Sequence, residues 1–344
     1  MRTGPHPLTS LLLLIVLSLW PRPADSQEVR RRWLAEPVLS ATITDRNGDL
    51  FGDPWSLVSD PGGGFLIVEA ATIRAFHVDG TPRWSAGRSG RGPGEFTVIE
   101  DVKVTPDGRV VALDREQPRV TVFDAESGEF IATVLLRREV ARTRRILPAP
   151  DALARVEVSL PEREGTTWWT VSDQGRIVDE KRGPTSCEHN LTCVSYIAGD
   201  GSWGGVQVFR WSSRIVFHDG EGSARVIEGI DSIPFPQTVT QSLDPQAMGL
   251  EGFRSLRATK VDPEAPEVVR AVAAGGSQAV VLVMIGDEEG YARVLDFYRV
   301  SDGAYLGSRR LPEHARDIAL LSDGRLATLH TVLFPEVRIW ELPL

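Results

Sequence analysis

The side chains best suited to chemistry are two neighbouring carboxylates and a distant histidine. Glu100 and Asp101 are adjacent in the chain, and His314 lies two residues before Arg316. Carboxylates and a histidine that come together can act as general acid and general base, as a hydrolase or a lyase requires. Carboxylates at strand ends are also common in proteins without catalytic activity. These residues are therefore compatible with either an enzyme or a binding protein.

Arginine supplies almost all of the positive charge, since lysine occurs only at positions 103, 181 and 260. The guanidinium group binds carboxylates and phosphates through paired hydrogen bonds. Arginines also form ordinary surface ion pairs with nearby carboxylates, and those bind no ligand. The arginines in or beside predicted loops are the candidates for binding an anion: Arg142, Arg145, Arg254, Arg257, Arg270 and Arg316.

The two cysteines of the chain, Cys187 and Cys193, are separated by five residues. In an oxidising compartment this spacing predicts a local disulfide, which constrains one loop. Alternatively, both thiolates and His189 could bind zinc, but only if the thiols stayed reduced. Histidines and asparagines are too few to indicate a three-histidine zinc centre or a calcium site. We therefore predict no metal and no cofactor.

The charge balance narrows the choice of partner. With 38 basic and 47 acidic residues, the formal net charge is −9. An acidic chain without a dominant basic tract is poorly suited to binding nucleic acid. We therefore expect the partner to be a protein, a peptide or a small anionic ligand.

Residues 1–26 have the features of a secretory signal peptide. Arg2 precedes an apolar run at 11–20, and Ala24 and Ser26 are the small residues expected before a cleavage site. The run is shorter than the roughly 20 residues that a membrane-spanning helix needs. An uncleaved N-terminal anchor is the alternative. The sequence thus predicts export to the periplasm or the extracellular space, as a monomer without a stable membrane span.

Helical periodicity is nearly absent after residue 26, and short apolar runs alternate with turns rich in Gly, Asp, Pro and Ser. The repeating unit is clearest in four predicted strands at 98–104, 109–113, 119–123 and 129–136. Four antiparallel strands in about 40 residues form one blade of a β-propeller. Third strands of the same kind recur at 73–78, 120–123, 167–171, 214–217, 294–300 and 337–340. This spacing predicts six blades.

The sixth predicted blade is one strand short, because the chain ends at Leu344. Residues 37–44 form a predicted strand that belongs to no blade, and we expect it to complete the sixth. The predicted fold is therefore all-β: a six-bladed β-propeller of four-stranded antiparallel blades, formed by residues 27–344 as a single domain. A β-sandwich does not account for the four-strand repeat. Residues 229–266 are predicted to be an insertion, either a short amphipathic helix within 245–260 or an irregular excursion.

The best-defined predicted blade resembles a known repeat. The segments Gly94-Glu-Phe96, 101–114, 119–124 and Gly128-Glu-Phe130 look like an NHL-type repeat. The segment at 90–96, Gly-Arg-Gly-Pro-Gly-Glu-Phe, is similar to the turn between blades in exported bacterial six-bladed β-propellers. The resemblance implies the fold. It leaves the activity open, because binding proteins, lyases and lactonases share that fold.

In a propeller the innermost strand of each blade runs along the central channel. The loops that lead into these strands therefore lie together at one end, here called the top face. The longest predicted loops fall on this face, at 46–54, 87–96, 137–145, 183–194 and 229–266. Loops held by a rigid scaffold are where binding usually takes place. We predict a non-catalytic protein that binds its ligand through the top-face loops. The alternative is a hydrolase or lyase that uses the channel-mouth carboxylates and His314, with or without a metal.

Overall fold

The computed structural model describes most of the chain from residue 31 onward. The described residues are 31–44, 51–136, 142–149, 151–159, 166–183, 194–199, 204–219, 223–231, 233, 238–243, 256–261, 268–283, 293–331 and 334–343. Within these ranges the regular elements are strands, and none is a helix. Accordingly, this part of the chain contains no helix long and apolar enough to cross a membrane. Short β-branched and aromatic runs favour strands because they fit a pleated, half-buried surface.

Six four-stranded antiparallel sheets form the six blades of a β-propeller, as predicted. The first strand, β1 (Val38–Thr44), belongs to the last blade. Blade 1 contains β2 (Ser56–Ser59), β3 (Phe65–Val68), β4 (Ile73–Phe76) and β5 (Pro82–Ala86). Blade 2 contains β6 (Ile99–Val104), β7 (Arg109–Asp114), β8 (Arg119–Asp124) and β9 (Phe130–Leu135). Blade 3 contains β10 (Arg142–Ala149), β11 (Ala152–Ser159), β12 (Thr167–Val171) and β13 (Ile177–Arg182).

The remaining three blades follow the same order from the innermost strand outward. Blade 4 contains β14 (Ser195–Ala198), β15 (Gly204–Phe209), β16 (Arg214–Asp219) and β17 (Ala224–Glu228). A separate hairpin of β18 (Thr238–Leu243) and β19 (Leu256–Val261) comes next. Blade 5 contains β20 (Val269–Gly275), β21 (Gln278–Val283), β22 (Val294–Arg299) and β23 (Tyr305–Arg310). Blade 6 contains β24 (Asp317–Leu320), β25 (Leu326–His330), β26 (Glu336–Glu341) and, on its outer side, β1.

The innermost strands form a closed circle around the channel. In order, β2, β6, β10, β14, β20 and β24 each pack beside the next, and β24 packs beside β2. Hydrogen bonds between blades join the beginnings of these strands. At the start of β24, the Asp317 carboxylate accepts hydrogen bonds from the Ser56 hydroxyl and the Leu57 N–H at the start of β2, each of 2.8 Å. The innermost strands therefore begin together at the top face.

The sixth blade is closed by β1, which pairs antiparallel with β26. The register runs from Val38 opposite Glu341 to Thr44 opposite Glu336. This pairing confirms the predicted N-terminal closure. Because β26 now has a partner on each side, the open edge that it would otherwise present is covered.

Residues 31–35, here called the N-terminal strap, lie along the outermost strand of blade 5. Trp33 forms a parallel bridge with Ser308 of β23, and the Leu34 N–H donates to the Ser308 carbonyl at 2.8 Å. A Cβ at Gly307, also in β23, would lie only 2.7 Å from the Leu34 side chain, so the strap packs closely on this strand. The same N-terminal segment thus packs on blade 5 before it crosses to blade 6.

Arg31 anchors the start of the N-terminal strap. Its guanidinium forms ion pairs with Asp231 and with Asp296 of β22, whose side chain is 2% exposed. Burial raises the pKa of Asp296 to about 6, although the nearby Arg31 opposes the shift. The Ser308 hydroxyl also donates to Asp296, at 2.5 Å. The strap is therefore held by a buried ion pair as well as by backbone hydrogen bonds.

Apolar clusters fill the spaces between neighbouring blades, but the interface between blades 3 and 4 has a smaller apolar cluster and several buried polar side chains. There the described apolar cluster consists of Leu147, Trp168 and Ile197. Buried polar side chains occupy the rest of this interface. The amide of Gln207 donates to Glu157 at 3.0 Å and to the Ser195 hydroxyl at 3.1 Å. Its carbonyl oxygen lies 2.9 Å from Nε2 of His218, so these buried groups satisfy one another.

Two buried histidines make the stability of the protein sensitive to acid. Burial lowers the pKa of His218 and of His330 to about 4 in each case. The unfolded chain, with histidine pKa values near 6.5, therefore binds more protons than the folded chain between pH 4 and 6.5. Folded stability contributed by the neutral rings is present above this window and is lost as the pH falls through it. The buried carboxylates Asp296 and Asp317, whose pKa values are raised by burial, act in the opposite direction.

We expect the free energy of unfolding of the wild type to fall relative to that of His218→Gln as the pH is lowered from 7 to 4. The difference should change by roughly 2–3 kcal/mol, which is the linkage energy of a shift of about two pKa units. Urea denaturation of both proteins at several pH values measures this directly. A difference that stays constant over the whole range would contradict the prediction.

The insertion between blades 4 and 5 contains strands in its described parts. Residues 256–260, which lie within the helix considered from the sequence, belong to β19 and pair with β18. In so short a segment, the periodicity of apolar residues does not distinguish a helix from a strand. The helix alternative therefore does not hold for these residues.

Candidate functional site

A cavity of about 510 Å³ occupies the central channel. All six blades contribute to its wall, mostly through their innermost strands. This volume lies within the range of small-molecule sites, which is about 300–1,000 Å³. The lining includes a charged group near the top face and an apolar group near the opposite end.

The charged group consists of five basic side chains and three carboxylates. The basic residues are Lys103, Arg145, Arg210, Arg270 and Arg316, and the acidic residues are Glu100, Asp101 and Asp317. Most of them lie at or just before the beginning of an innermost strand, which places them at the top of the channel. Arg210 reaches the same end because it follows the second strand of blade 4, and Lys103 lies deeper, within β6.

Asp317 is held by donors from two blades. Besides Ser56 and Leu57 of blade 1, the Ile318 N–H donates to its carboxylate at 2.9 Å. Burial raises the pKa of Asp317, whereas these hydrogen bonds and the charge of Lys103 oppose the shift. The carboxylate therefore ties the start of blade 6 to the start of blade 1 and faces the cavity at the same time.

Asp101 and Lys103 form an ion pair inside the channel. The Lys103 ammonium lies 2.5 Å from Oδ1 of Asp101, and both side chains are largely buried. The other carboxylate oxygen of Asp101 accepts a hydrogen bond of 3.0 Å from the Ile146 N–H of blade 3. The Lys103 ammonium also donates to the Val102 carbonyl at 3.0 Å. The charges of the pair are thus compensated within the protein.

Arg145 and Glu100 form a second polar group at the top of the channel. Arg145 lies 3.5 Å from Glu100 and donates to the Ser195 carbonyl of blade 4 at 2.6 Å. Its guanidinium also lies 5.9 Å from the ring centre of Tyr196. From the other direction, Arg210 donates to the Tyr196 hydroxyl at 2.8 Å. Arg145 and Arg210 therefore hold an aromatic ring at the cavity wall.

Arg316 is the basic side chain best placed to receive a ligand. It lies immediately before β24, and its backbone N–H donates to the Leu329 carbonyl at 2.7 Å, which fixes its position. Within the described part of the chain, its guanidinium has no hydrogen bond or ion pair. Arg270 enters the same cavity from the neighbouring strand β20. Arginines from two adjacent blades thus line the same cavity as Asp317.

Five of the candidate residues predicted from the sequence line this cavity: Glu100, Asp101, Arg145, Arg270 and Arg316. His314 is not among the lining residues that the structure describes. It is half-buried, and its backbone forms a hydrogen bond with His330 at the end of β25. Arg254, Cys187 and Cys193 lie outside the described residues, and only the backbone of Arg142 in β10 and of Arg257 in β19 is described. The disulfide therefore stays a prediction.

Sequence reasoning missed Lys103, Arg210 and Asp317. Lys103 could have been noticed as one of three lysines in a chain rich in arginine, and Asp317 because it directly follows Arg316. Arg210 gave no signal, since its position depends on where β15 ends. Among the described residues, no three His, Cys, Asp or Glu side chains come close enough together to hold a metal ion.

Comparisons with known proteins identify the fold. The sequence matches no protein family and no curated protein. The structure is similar to that of U3-55K, with a TM-score of 0.52 and 13% sequence identity over 89% of this chain and 100% of that one. It is also similar to a protein of Bacteroides fragilis NCTC 9343 named as a candidate exported protein, with a TM-score of 0.57 and 11% identity over 89% of this chain and 96% of that one. At such low identity these similarities show the β-propeller fold alone.

Proposed function

We propose that the protein binds a small ligand with a carboxylate group at the top of its central channel. The observation that carries the proposal is the convergence of five basic side chains, one from each of blades 2 to 6, on one cavity. They outnumber the three carboxylates of the same lining, although the chain as a whole carries a net charge of −9. A positive cavity in an acidic protein attracts anions selectively.

Arg316 is the primary contact in this proposal. A guanidinium donates two parallel hydrogen bonds to a carboxylate, and charge-assisted bonds of this kind are stronger than neutral ones. Arg270 would add a second positive group from the adjacent blade. Arg145 and Arg210 support the Tyr196 ring, which would pack against the ligand, and their own charge increases the local potential.

The proposal is for a non-catalytic protein. Each cavity carboxylate is already engaged: Glu100 by Arg145, Asp101 by Lys103, and Asp317 by donors of blade 1. The alternative hydrolase or lyase requires His314 beside Glu100 and Asp101, and the histidine lies beside His330 instead. We therefore favour binding.

Export and domain organisation are part of the same proposal. The signal-like sequence at 1–26 supports export to the periplasm or the extracellular space, and the name of the similar B. fragilis protein agrees with it. After cleavage, residues 27–344 would form one monomeric propeller domain whose second blade is of the NHL type. A local disulfide between Cys187 and Cys193 would suit such a compartment.

Replacing Arg316 by glutamine should weaken carboxylate binding by about 10–100-fold, because one charge-assisted hydrogen-bonding group contributes roughly 1.5–3 kcal/mol. Isothermal titration with benzoate measures the effect. Benzylamine, which has a similar ring but the opposite charge, should not bind.

The matched control is Arg325→Gln in the same blade. Arg325 pairs with Asp323 at the turn between β24 and β25, at the opposite end of the channel from Arg316, and does not line the cavity. Its substitution should leave binding unchanged. If both variants bind equally well, or if benzylamine binds like benzoate, the proposed site is wrong.

A further inference from the structure

The lining of the cavity changes from charged to uncharged along the length of the channel. Its charged residues lie at the top, and Lys103 is the deepest of them. Beyond Lys103 the described lining carries no ionisable side chain down to the turns that end the innermost strands. Such a gradient distinguishes the two ends of any ligand that fills the channel.

The lower wall is built from small and branched apolar residues of several blades. They include Val58 of blade 1, Val104 of blade 2, Ala198 of blade 4, Ala274 of blade 5 and Leu320 of blade 6. Ala274 and Ala198 are half-buried at the cavity surface, and their small side chains leave room in the channel. An apolar group in this region would lose its contact with water, which favours its binding there.

The charged end carries two more basic than acidic side chains, so it can bind an added anion. Lys103 is paired with Asp101, and Arg145 with Glu100, so these cations are already used inside the protein. Arg316 is the cation whose guanidinium has no partner among the described residues, and Arg270 lies on the adjacent strand. A second carboxylate at the far end of the ligand would be buried among apolar residues without a counter-charge.

We propose that the natural ligand is an amphipathic monocarboxylate, such as a medium-chain fatty acid. This inference rests on the function proposed above. The carboxylate lies at Arg316 and Arg270, and the hydrocarbon chain extends along the channel toward Ala274 and Leu320. Innermost strands of four to eight residues give a channel of roughly 13–26 Å at about 3.3 Å per residue, which is long enough for such a chain.

The test is a series of straight-chain carboxylates of increasing length, from butanoate to octanoate, together with octanedioate. Titration of the full chain should show affinity increasing about threefold to fourfold for each added methylene, as expected for burial of a CH₂ group. Octanedioate should bind at least tenfold more weakly than octanoate. In Arg316→Gln, all members of the series should lose affinity together.

Ala274→Phe and Ala198→Phe fill the lower channel from two different blades. Each should remove the preference for octanoate while butanoate binds as in the wild type. Ala224→Phe, on the exposed outermost strand of blade 4, is the matched control and should change neither. Thermal unfolding of every variant shows which of them are folded, and the ligand series on the wild type decides the question even if both filled variants fail to fold.

The outcomes separate the two proposals. If butanoate and octanoate bind equally and both depend on Arg316, the carboxylate site stands and the apolar channel does not. Equal binding of octanoate and octanedioate would likewise overturn the monocarboxylate assignment. If no member of the series binds in an Arg316-dependent way, the proposed function itself is wrong.

Discussion

Replacing Ile43 by alanine should lower the free energy of unfolding by about 2–4 kcal/mol, the usual cost of truncating a buried isoleucine. Ile43 lies on β1, is 7% exposed and belongs to the apolar cluster that contains Phe65 of blade 1 and Val337 of blade 6. It also packs directly on Gly80, since a Cβ there would lie 2.7 Å from its side chain. The truncation would leave a cavity where the N-terminal strand joins the first and last blades. Urea denaturation monitored by tryptophan fluorescence measures the loss.

Val38→Ala provides the control on the same strand. Val38 is 52% exposed and lies opposite Glu341 in the pairing of β1 with β26. Its truncation should change stability by no more than about 0.5 kcal/mol, as for most surface positions. An equal effect of the two substitutions would show that the packing of Ile43 does not stabilise the closure.

Asp114→Ala should destabilise the protein by about 3–5 kcal/mol, because it leaves a buried arginine without its counter-charge. The Asp114 side chain is fully buried, and the guanidinium of Arg119 lies 3.2 Å from it with an exposure of 3%. Asp114 also accepts hydrogen bonds from the backbone N–H groups of Thr97 and Glu116, each 3.0 Å long. Arg119 in turn donates to the Arg91 carbonyl at 2.9 Å. The substitution would therefore release both the turn after β7 and the turn between blades 1 and 2.

Asp124→Ala is the comparison for this second prediction. Asp124 ends the next strand, β8, and accepts hydrogen bonds from the N–H groups of Glu126 and Ser127 at 3.0 and 2.8 Å. Water can replace it there, since these partners are exposed, so the expected cost is only about 1 kcal/mol. Chemical denaturation of both variants measures the two losses in the free energy of unfolding. Equal losses would mean that the burial of the Asp114 and Arg119 pair contributes nothing.

The blade pattern could be predicted because each blade is local in sequence. Strands β6 to β9 follow one another within residues 99–135, and their alternation and turn residues are visible without knowledge of the rest of the chain. The N-terminal strap could not be predicted in this way. Its residues show no strand pattern, and its position depends on Ser308, which is more than 270 residues away.

The site was predictable in part, for a related reason. Residues at the start of an innermost strand share one end of the channel, so Arg270 and Arg316 could be placed together once the blades were counted. His314 precedes the strand by only a few residues, but this offset places it beside His330 instead of in the cavity lining. Periodicity defines strands and does not fix the direction of side chains in the loops before them.

The pairing of β1 with β26 also affects how the protein forms. The other strand pairs within the blades join neighbours in sequence, whereas this pair joins Val38 to Glu341. During synthesis the first of these strands leaves the ribosome long before the second. Blades 1 to 5 can assemble from contacts already available, but the ring stays unsealed until β26 has been synthesised. Distant pairings are slow to form, and an unpaired strand edge in the interval can capture another chain. We therefore expect association between molecules during refolding to begin at this seam.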